Sequence, residues 1–422
     1  MALGANDSLH KIFTINKNEA LFHKAELVVT ETNINDYDLF HYGKSFEKLA
    51  LYMTLLCKKL ASFNAKIVFI ILPFQVRQAN DENDVKKKKL VENFLRKNIN
   101  NFGFNCVDMG AYYDKFNLLE FFTKIDIYHQ AGSIMRILGK NIIKNIANFR
   151  FHTQKTEFKS EFLILSAKEL FKENLESKKL ENSIFNELIY KLDSDSKLKF
   201  DENFKGYQLL GLALCNFFEK CEKEPYSSFI LENTEQKVIK FIRSAFYLFH
   251  SLNADFTIDE NSFMYFNKEN LAQSEGSVWI KKGDKLINNI NHCGLSYFFL
   301  AKIAKEDKEF ELKEPDEEVK LLQELDFSHL SPEVEDYKEL IDEYCFHMEK
   351  LKEKEFQDKI NELNSQLLTL QKENSSLKEI LSSQEHKAKM LKLSFLEEKV
   401  KSKELKNKLL EKELGRKDIP RK

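Results

Sequence analysis

The stretch Ala25-Glu26-Leu27-Val28-Val29-Thr30-Glu31-Thr32-Asn33-Ile34-Asn35-Asp36 constrains this chain more than any other. Its first half is an apolar, β-branched run without a breaker, of the length of a short buried strand. Its second half is a polar turn of Asn and Asp, residues that cap helices and tolerate unusual backbone angles. A helical pattern follows. Strand, polar turn and helix form the unit of parallel α/β sheets, which place chemistry just past the carboxyl ends of their strands. Asn33, Asn35 and Asp36 fall at that point.

The same unit recurs over the first 150 residues. Residues 65–72 (AKIVFIIL) read as a second buried strand stopped by Pro73, and residues 105–109 (NCVDM) as a third. Helical patterns cover 9–24, 44–62 (Phe46, Leu49, Tyr52, Met53, Leu56 and Leu60 at helical spacing), 89–98 and 131–147, with a charged loop at 80–88. Strands alternating with helices argue for an α/β domain over 1–150, a parallel sheet covered on both faces in a three-layer, flavodoxin-like α/β/α arrangement.

After about residue 155 the pattern changes. Residues 160–166, 226–232, 238–257, 262–266 and 277–282 are rich in β-branched and aromatic residues between polar turns. They predict an antiparallel, sandwich-like domain over 155–315, although 238–252 also fits helical spacing. Trp279 is either core or a platform for a sugar ring. From about 316 the chain turns Glu/Lys-dense. Phe356, Ile360, Leu363, Leu367, Leu370, Asn374, Leu377 and Leu381 alternate spacings of four and three, a heptad seam with Asn374 at an a position. It continues roughly through Ala388, Leu391 and Phe395. A coiled coil over 333–415 is expected, with a homodimer through 356–395; a long solvated single helix is the alternative.

At 422 residues with 43% hydrophobic content and 37 Phe, the chain has core material for two domains and a tail. The net charge of -2 excludes whole-chain steering to nucleic acid or to an acidic surface. Lysines near the C-terminus are interleaved with Glu, as on a solvated helix face, and Lys86-Lys87-Lys88-Lys89 reads as a surface loop. No nucleic-acid partner is expected. The scarcity of Gly and Pro beside abundant Lys, Asn, Ile and Phe is the composition of an AT-rich bacterial genome. The cysteines Cys57, Cys106, Cys215, Cys221, Cys293 and Cys345 show no metal-type spacing and suit a reducing cytoplasm. There is no signal-peptide pattern, and the longest apolar run, 67–74, is too short to span a bilayer. No nucleotide or metal motif occurs, so no cofactor is expected.

The residues that point to chemistry are Asn35, Asp126 and His129. Asp126 and His129 are three apart just before the last helix of the first domain, where one turn can aim both at one place. Histidine is a natural general base, and a neighbouring carboxylate fixes its tautomer and stabilises the imidazolium. Asn35 offers N–H donors at the mouth of a different strand, where they can hold an oxyanion. The backbone at Gly4 can supply another donor, because Gly admits close approach. Each piece alone has a plain alternative: a structural His, or an N-x-N-D helix cap.

In order and position these pieces resemble the SGNH (GDSL-type) hydrolase superfamily over roughly residues 1–150. Leu3-Gly4-Ala5 resembles its second block, Asn33-Ile34-Asn35-Asp36 its third (G-x-N-D), and Asp126-Ile127-Tyr128-His129 its fifth (D-x-x-H). The resemblance implies Asn35 and the Gly4 backbone as oxyanion hole, His129 as base and Asp126 as its orienter, acting on O-acyl groups such as carbohydrate acetyl esters. Asn33 stands where the family has Gly. The first block, with the nucleophilic Ser, has no counterpart. Asn6-Asp7-Ser8 mimics it but overlaps the second block, so Ser8 is either a nucleophile or part of a helix cap. On this reading Met1 lies inside the domain, and the chain as written has a base and an oxyanion hole without its nucleophile block.

Three functions follow as expectations. The first is an ester hydrolase or O-acyl (acetyl) transferase on surface or capsular carbohydrate, inactive as written if the nucleophile is indispensable. The layout also resembles capsule sugar transferases, which implies transfer of a non-acyl group. The third is a non-enzymatic carbohydrate-binding scaffold assembled by its coiled coil.

Overall fold

The strand Lys66–Ile71 is buried along its length apart from Lys66, and a run of KIVFII can be so only with strands on both sides and cover on both faces. In the computed structural model, which describes residues 7–76, 81–119, 126–154, 158–181, 186–216, 224–243, 247–278, 280, 287–308 and 318–414, it is the middle strand of a parallel sheet. The order is β1 (Leu27–Thr30), β2 (Lys66–Ile71), β3 (Asn105–Asp108), in register Val28 to Ile67 and Ile70 to Val107. Around these lie α1 (Ser8–Lys17), α2 (Glu19–Phe22), α3 (Asn33–His41), α4 (Phe46–Ala61), α5 (Glu82–Phe102) and α6 (Met109–Phe116), followed by the helix Gly132–Lys144.

One expectation is corrected here. Of the 80–88 loop, residues 82–88 are helical, forming the first turns of α5. Asp81 Oδ1 accepts from the Asn83 N–H at 2.9 Å, and Glu82 and Asp84 sit in the first turn, where the helix dipole favours negative charge. The 9–24 segment is helical as expected, and irregular: Asn18 ends α1 and precedes the single-turn α2.

The outer edge of β3 is closed by a distant segment: the Cys106 N–H donates to Leu325 O and the Phe327 N–H to Cys106 O, both at 2.8 Å. Among the described residues, β1 has β2 as its sole strand neighbour.

Among the described residues ten strands follow: β4 (Glu161–Ser166), β5 (Ser177–Glu181), β6 (Asn186–Asp193), β7 (Lys197–Lys199), β8 (Gln208–Leu214), β9 (Ser227–Glu232), β10 (Lys237–Ile242), β11 (Leu248–Thr257), β12 (Phe263–Phe266) and β13 (His292–Lys302). One antiparallel sheet runs β10-β9-β12-β7, the other β11-β8-β13-β6-β5 with β4 also on β13. The helical alternative for 238–252 is overturned at its described residues: 238–242 belong to β10 and 248–252 to β11, while 244–246 lie outside the described residues. Within 277–282 the described part is a single bridge, Ser277 to Ile280; Trp279 lies outside the described residues.

The second sheet is covered on both faces. Leu209, Leu212 and Leu214 of β8 and Phe298 and Leu300 of β13 join a core that also draws on β9, β10 and β12 of the first sheet. Leu210, Ala213, Phe299 and Ala301 face the core shared with α1, α4 and β2. Phe13 of α1 packs at 5.1 Å from Phe249 and edge-on at 5.6 Å from Phe299. Residues 1–337 thus form one unit, and residues 338–422 a second.

The C-terminal helix Val334–Leu414 is 81 residues long. Every residue from 349 to 413 is exposed. Among the described residues, no helix is long and apolar enough to cross a membrane. Cys57, Cys106, Cys215 and Cys293 are buried free thiols and Cys345 an exposed one; Cys221 lies outside the described residues.

Candidate active site

The carboxyl ends of β1 and β2 are tied together by Asn33. Its side chain donates to Leu72 O at 2.8 Å and accepts from the Leu72 N–H at 3.1 Å. One turn further along α3, Asp36 is fully buried. It accepts from the Ser8 N–H at 2.9 Å and from Ser8 Oγ at 2.7 Å, and Thr32 Oγ1 bonds the same carboxylate. Burial, then the Asp7 charge, pushes the Asp36 carboxyl up to about 6, against the hydrogen bonds from Thr32 and Ser8.

Ser8 is therefore the first residue of α1, and Asp7 is its cap, accepting from the His10 N–H at 3.0 Å. The Ser8 hydroxyl lies in a buried cluster with Asp36 and Thr32, with Thr32 Oγ1 at 3.0 Å. No histidine is among its hydrogen-bond partners in the described residues. Asn35 is half-buried in the first turn of α3, and its amide makes no hydrogen bond to another described residue. Gly4 lies outside the described residues.

Asp126 and His129 do meet. Asp126 Oδ2 is 2.6 Å from His129 Nδ1, and Oδ1 accepts from the Tyr128 and His129 N–H groups at 2.9 and 3.0 Å. Against the effect of burial, these donors and the imidazole hold the Asp126 carboxyl below its usual range. The imidazole is 81% exposed. The turn is fastened to the same rim. The Gln75 N–H donates to Ile127 O at 3.0 Å, Gln130 Nε2 to Pro73 O at 2.8 Å, and Tyr128 Oη to Asp38 of α3 at 3.1 Å. Thus the D-x-x-H turn is bonded to α3 and to the exit of β2, while no hydrogen bond joins His129 to Asn35.

Several polar clusters escaped sequence reading because their members are far apart in the chain. His41 of α3 pairs with Asp84 of α5 at 2.9 Å, both nearly buried. Arg96 Nε meets Asp108 at 2.7 Å at the end of β3. A buried seam joins the parallel and antiparallel parts: Lys44 donates to Asp7 at 2.8 Å and to Ser251 Oγ. Lys240 donates to Glu275 at 2.7 Å, Gly276 O at 2.9 Å and Ser251 O at 3.0 Å. Beside them His250 is buried, with neither ring nitrogen hydrogen-bonded to a described residue. Burial, then the Lys240 charge, lowers its pKa to about 3. The cavity among Lys44, Lys240 and His250 measures about 10 Å³, room for a single water at most, so it is packing rather than a ligand site. Among the described residues, no group of three or more His, Cys, Asp or Glu is placed to hold a metal ion.

No protein-family model, no curated protein and no solved structure matches this chain.

Proposed function

We propose that residues 1–150 form an SGNH-like centre acting on an acyl ester of surface carbohydrate. His129 is the general base, Asp126 its orienter, and Asn35 an oxyanion donor joined by the Gly4 backbone. The observation that carries this is the Asp126–His129 bond of 2.6 Å on an exposed turn. It fixes Nδ1 and leaves Nε2 for a substrate proton. On this reading the parallel part is a three-layer α/β/α fold, the antiparallel part a sandwich-like accessory module, and the long helix a coiled coil that pairs two copies through 356–395. The buried free thiols suit a reducing cytoplasm.

The Ser8 hydroxyl is already bound by Asp36 and Thr32, which favours direct displacement over an acyl-enzyme. His129 Nε2 takes the proton of an acceptor hydroxyl, from water or a sugar. That oxygen bonds to the ester carbonyl carbon as the Asn35 amide donates to the oxyanion. The bond to the leaving oxygen then breaks, and that oxygen takes the proton from the imidazolium. The same base would serve transfer of a non-acyl group.

The commitment of Ser8 also favours a second reading, a non-enzymatic carbohydrate-binding scaffold. Hydrolysis of p-nitrophenyl acetate by the purified chain separates the two. The enzyme reading expects turnover that His129→Ala lowers by about 10²–10⁴-fold, with no acetyl group on Ser8 in the intact mass. Turnover indifferent to that substitution, or none, supports the scaffold.

A further inference from the structure

We propose that the Val334–Leu414 helix pairs with a second copy of this chain as a parallel, in-register coiled coil built in two frames. The frames are separated by a polar break at 382–389. The proposal rests on the self-association named above and adds its direction, its register and a second seam.

The first frame has Phe356, Leu363, Leu370 and Leu377 at d, and Ile360, Leu367, Asn374 and Leu381 at a. The seven apolar members are 49–69% exposed, an apolar stripe that no described residue covers. Across a parallel interface a g residue faces the e residue five positions on in the partner. Here Glu373 faces Lys378, an attractive pair.

Carried past Leu381, that frame keeps Leu391 and Leu405 at d and Ala388, Phe395 and Leu409 at a, but it also places Gln384 and Glu398 at d and Ser402 at a. Its charges are what count against it: its flanks set Lys387 against Lys392 and Lys401 against Lys406, with Lys408 and Glu413 as an attractive pair.

A different frame begins at Leu393. Leu393, Val400 and Asn407 take a, and Leu396, Lys403 and Leu410 take d. Its flanks are regular: Lys392, Lys399 and Lys406 at g, Glu397, Glu404 and Glu411 at e. In a parallel, in-register pair every lysine faces a glutamate: Lys392 with Glu397, Lys399 with Glu404, Lys406 with Glu411. An antiparallel pair sets g against g and e against e, so lysine would meet lysine. Among the described residues none of these six charges has an ion-pair partner within its own chain. Asn374 and Asn407, both at a, pair with their own copies only in register. Lys403 at d is the cost of this frame, and Leu391, Phe395, Leu405 and Leu409, which the continued first frame holds at d and a, fall outside its seam. Between the frames lies Ser382-Ser383-Gln384-Glu385-His386-Lys387-Ala388-Lys389, a stretch with too little apolar surface to hold either frame.

The test uses the full chain with Cys221 and Cys345 replaced by serine and one new cysteine at a time, under mild oxidation. Asn374→Cys and Val400→Cys are expected to form disulfide dimers. Ser402→Cys, at a only in the continued first frame, is expected to form at least ten-fold less. Ser402→Cys matching Val400→Cys overturns the second frame. A chain that sediments as a dimer while Asn374→Cys fails to cross-link overturns the parallel register, and a monomer overturns the self-association itself. Independently, Lys392→Glu with Lys399→Glu and Lys406→Glu is expected to weaken the dimer at least ten-fold. Adding Glu397→Lys, Glu404→Lys and Glu411→Lys is expected to restore it; no weakening, or no rescue, contradicts the pairing.

Discussion

Asn33 returns both ends of its side-chain amide to one residue, donating to Leu72 O at 2.8 Å and accepting from the Leu72 N–H at 3.1 Å. It holds the exits of β1 and β2 together and sets the height at which α3 begins. Asn33→Ala removes both bonds and leaves the half-buried Leu72 groups without the amide, a loss of about 1–3 kcal/mol. Asn33→Asp keeps the acceptor but points a carboxylate oxygen at Leu72 O, and is expected to be no better. Urea unfolding checks both; wild-type stability in either would show that the amide is dispensable.

Lys240 and Glu275 form a buried ion pair whose ammonium also satisfies Gly276 O and Ser251 O. Lys240→Met alone strands the Glu275 charge and is expected to destabilise by about 3–5 kcal/mol, whereas pairing it with Glu275→Leu recovers much of that. A double-mutant cycle showing additive losses would mean the two side chains are not coupled.

Two buried groups give pH dependences of opposite sign. The Asp36 carboxyl is raised to about 6, so the folded state binds the extra proton and stability is lost as pH rises from about 4 through 6. His250 is lowered to about 3, so its contribution is present above its unfolded value and is lost as pH falls below about 6.5. Relative to wild type, Asp36→Asn should gain on the order of 2–3 kcal/mol from pH 4 to 7, and His250→Leu about 2 kcal/mol from pH 7 to 5. Urea midpoints at four pH values measure both; parallel curves for wild type and either variant would remove that group from the account.

Gly294 of β13 lies where a Cβ would come within 1.8 Å of Cys215 O. Backbone cannot yield there as a side-chain tip could. Gly294→Ala is expected to lose at least about 1–3 kcal/mol through overpacking. A neutral effect by urea unfolding would mean that β8 and β13 can separate without penalty.

The strands β1, β2 and β3 were legible because short β-branched runs ended at Pro73 or at Asn and Asp turns. The helix 44–62 and the heptads from Phe356 were legible because their apolar spacing is regular. The start of α5 was not: residues 82–88 carry Val85 as their sole apolar residue, and their helix is signalled only by the Asp81 cap and acidic first turn. Strands β8 and β13 were missed for the opposite reason. Buried on both faces, LLGLAL and GLSYFFLA show no alternation to read. The Asp126–His129 pair was legible as an i, i+3 spacing. The Ser8–Asp36 bond spans 28 residues and the Lys44–Ser251 bond 207, and no local pattern announces contacts of that separation.

The central claim is that the His129 imidazole and the Asn35 amide act on one carbonyl. The most direct measurement is kcat/KM for p-nitrophenyl acetate in wild type, His129→Ala, Asn35→Ala and the double variant. His129→Ala is expected to lower kcat/KM by about 10²–10⁴-fold and Asn35→Ala by about 10²–10³-fold, and the double variant to be scarcely worse than the poorer single one, because the two groups work as a unit. Rates untouched by either substitution, or losses that multiply independently, would contradict it.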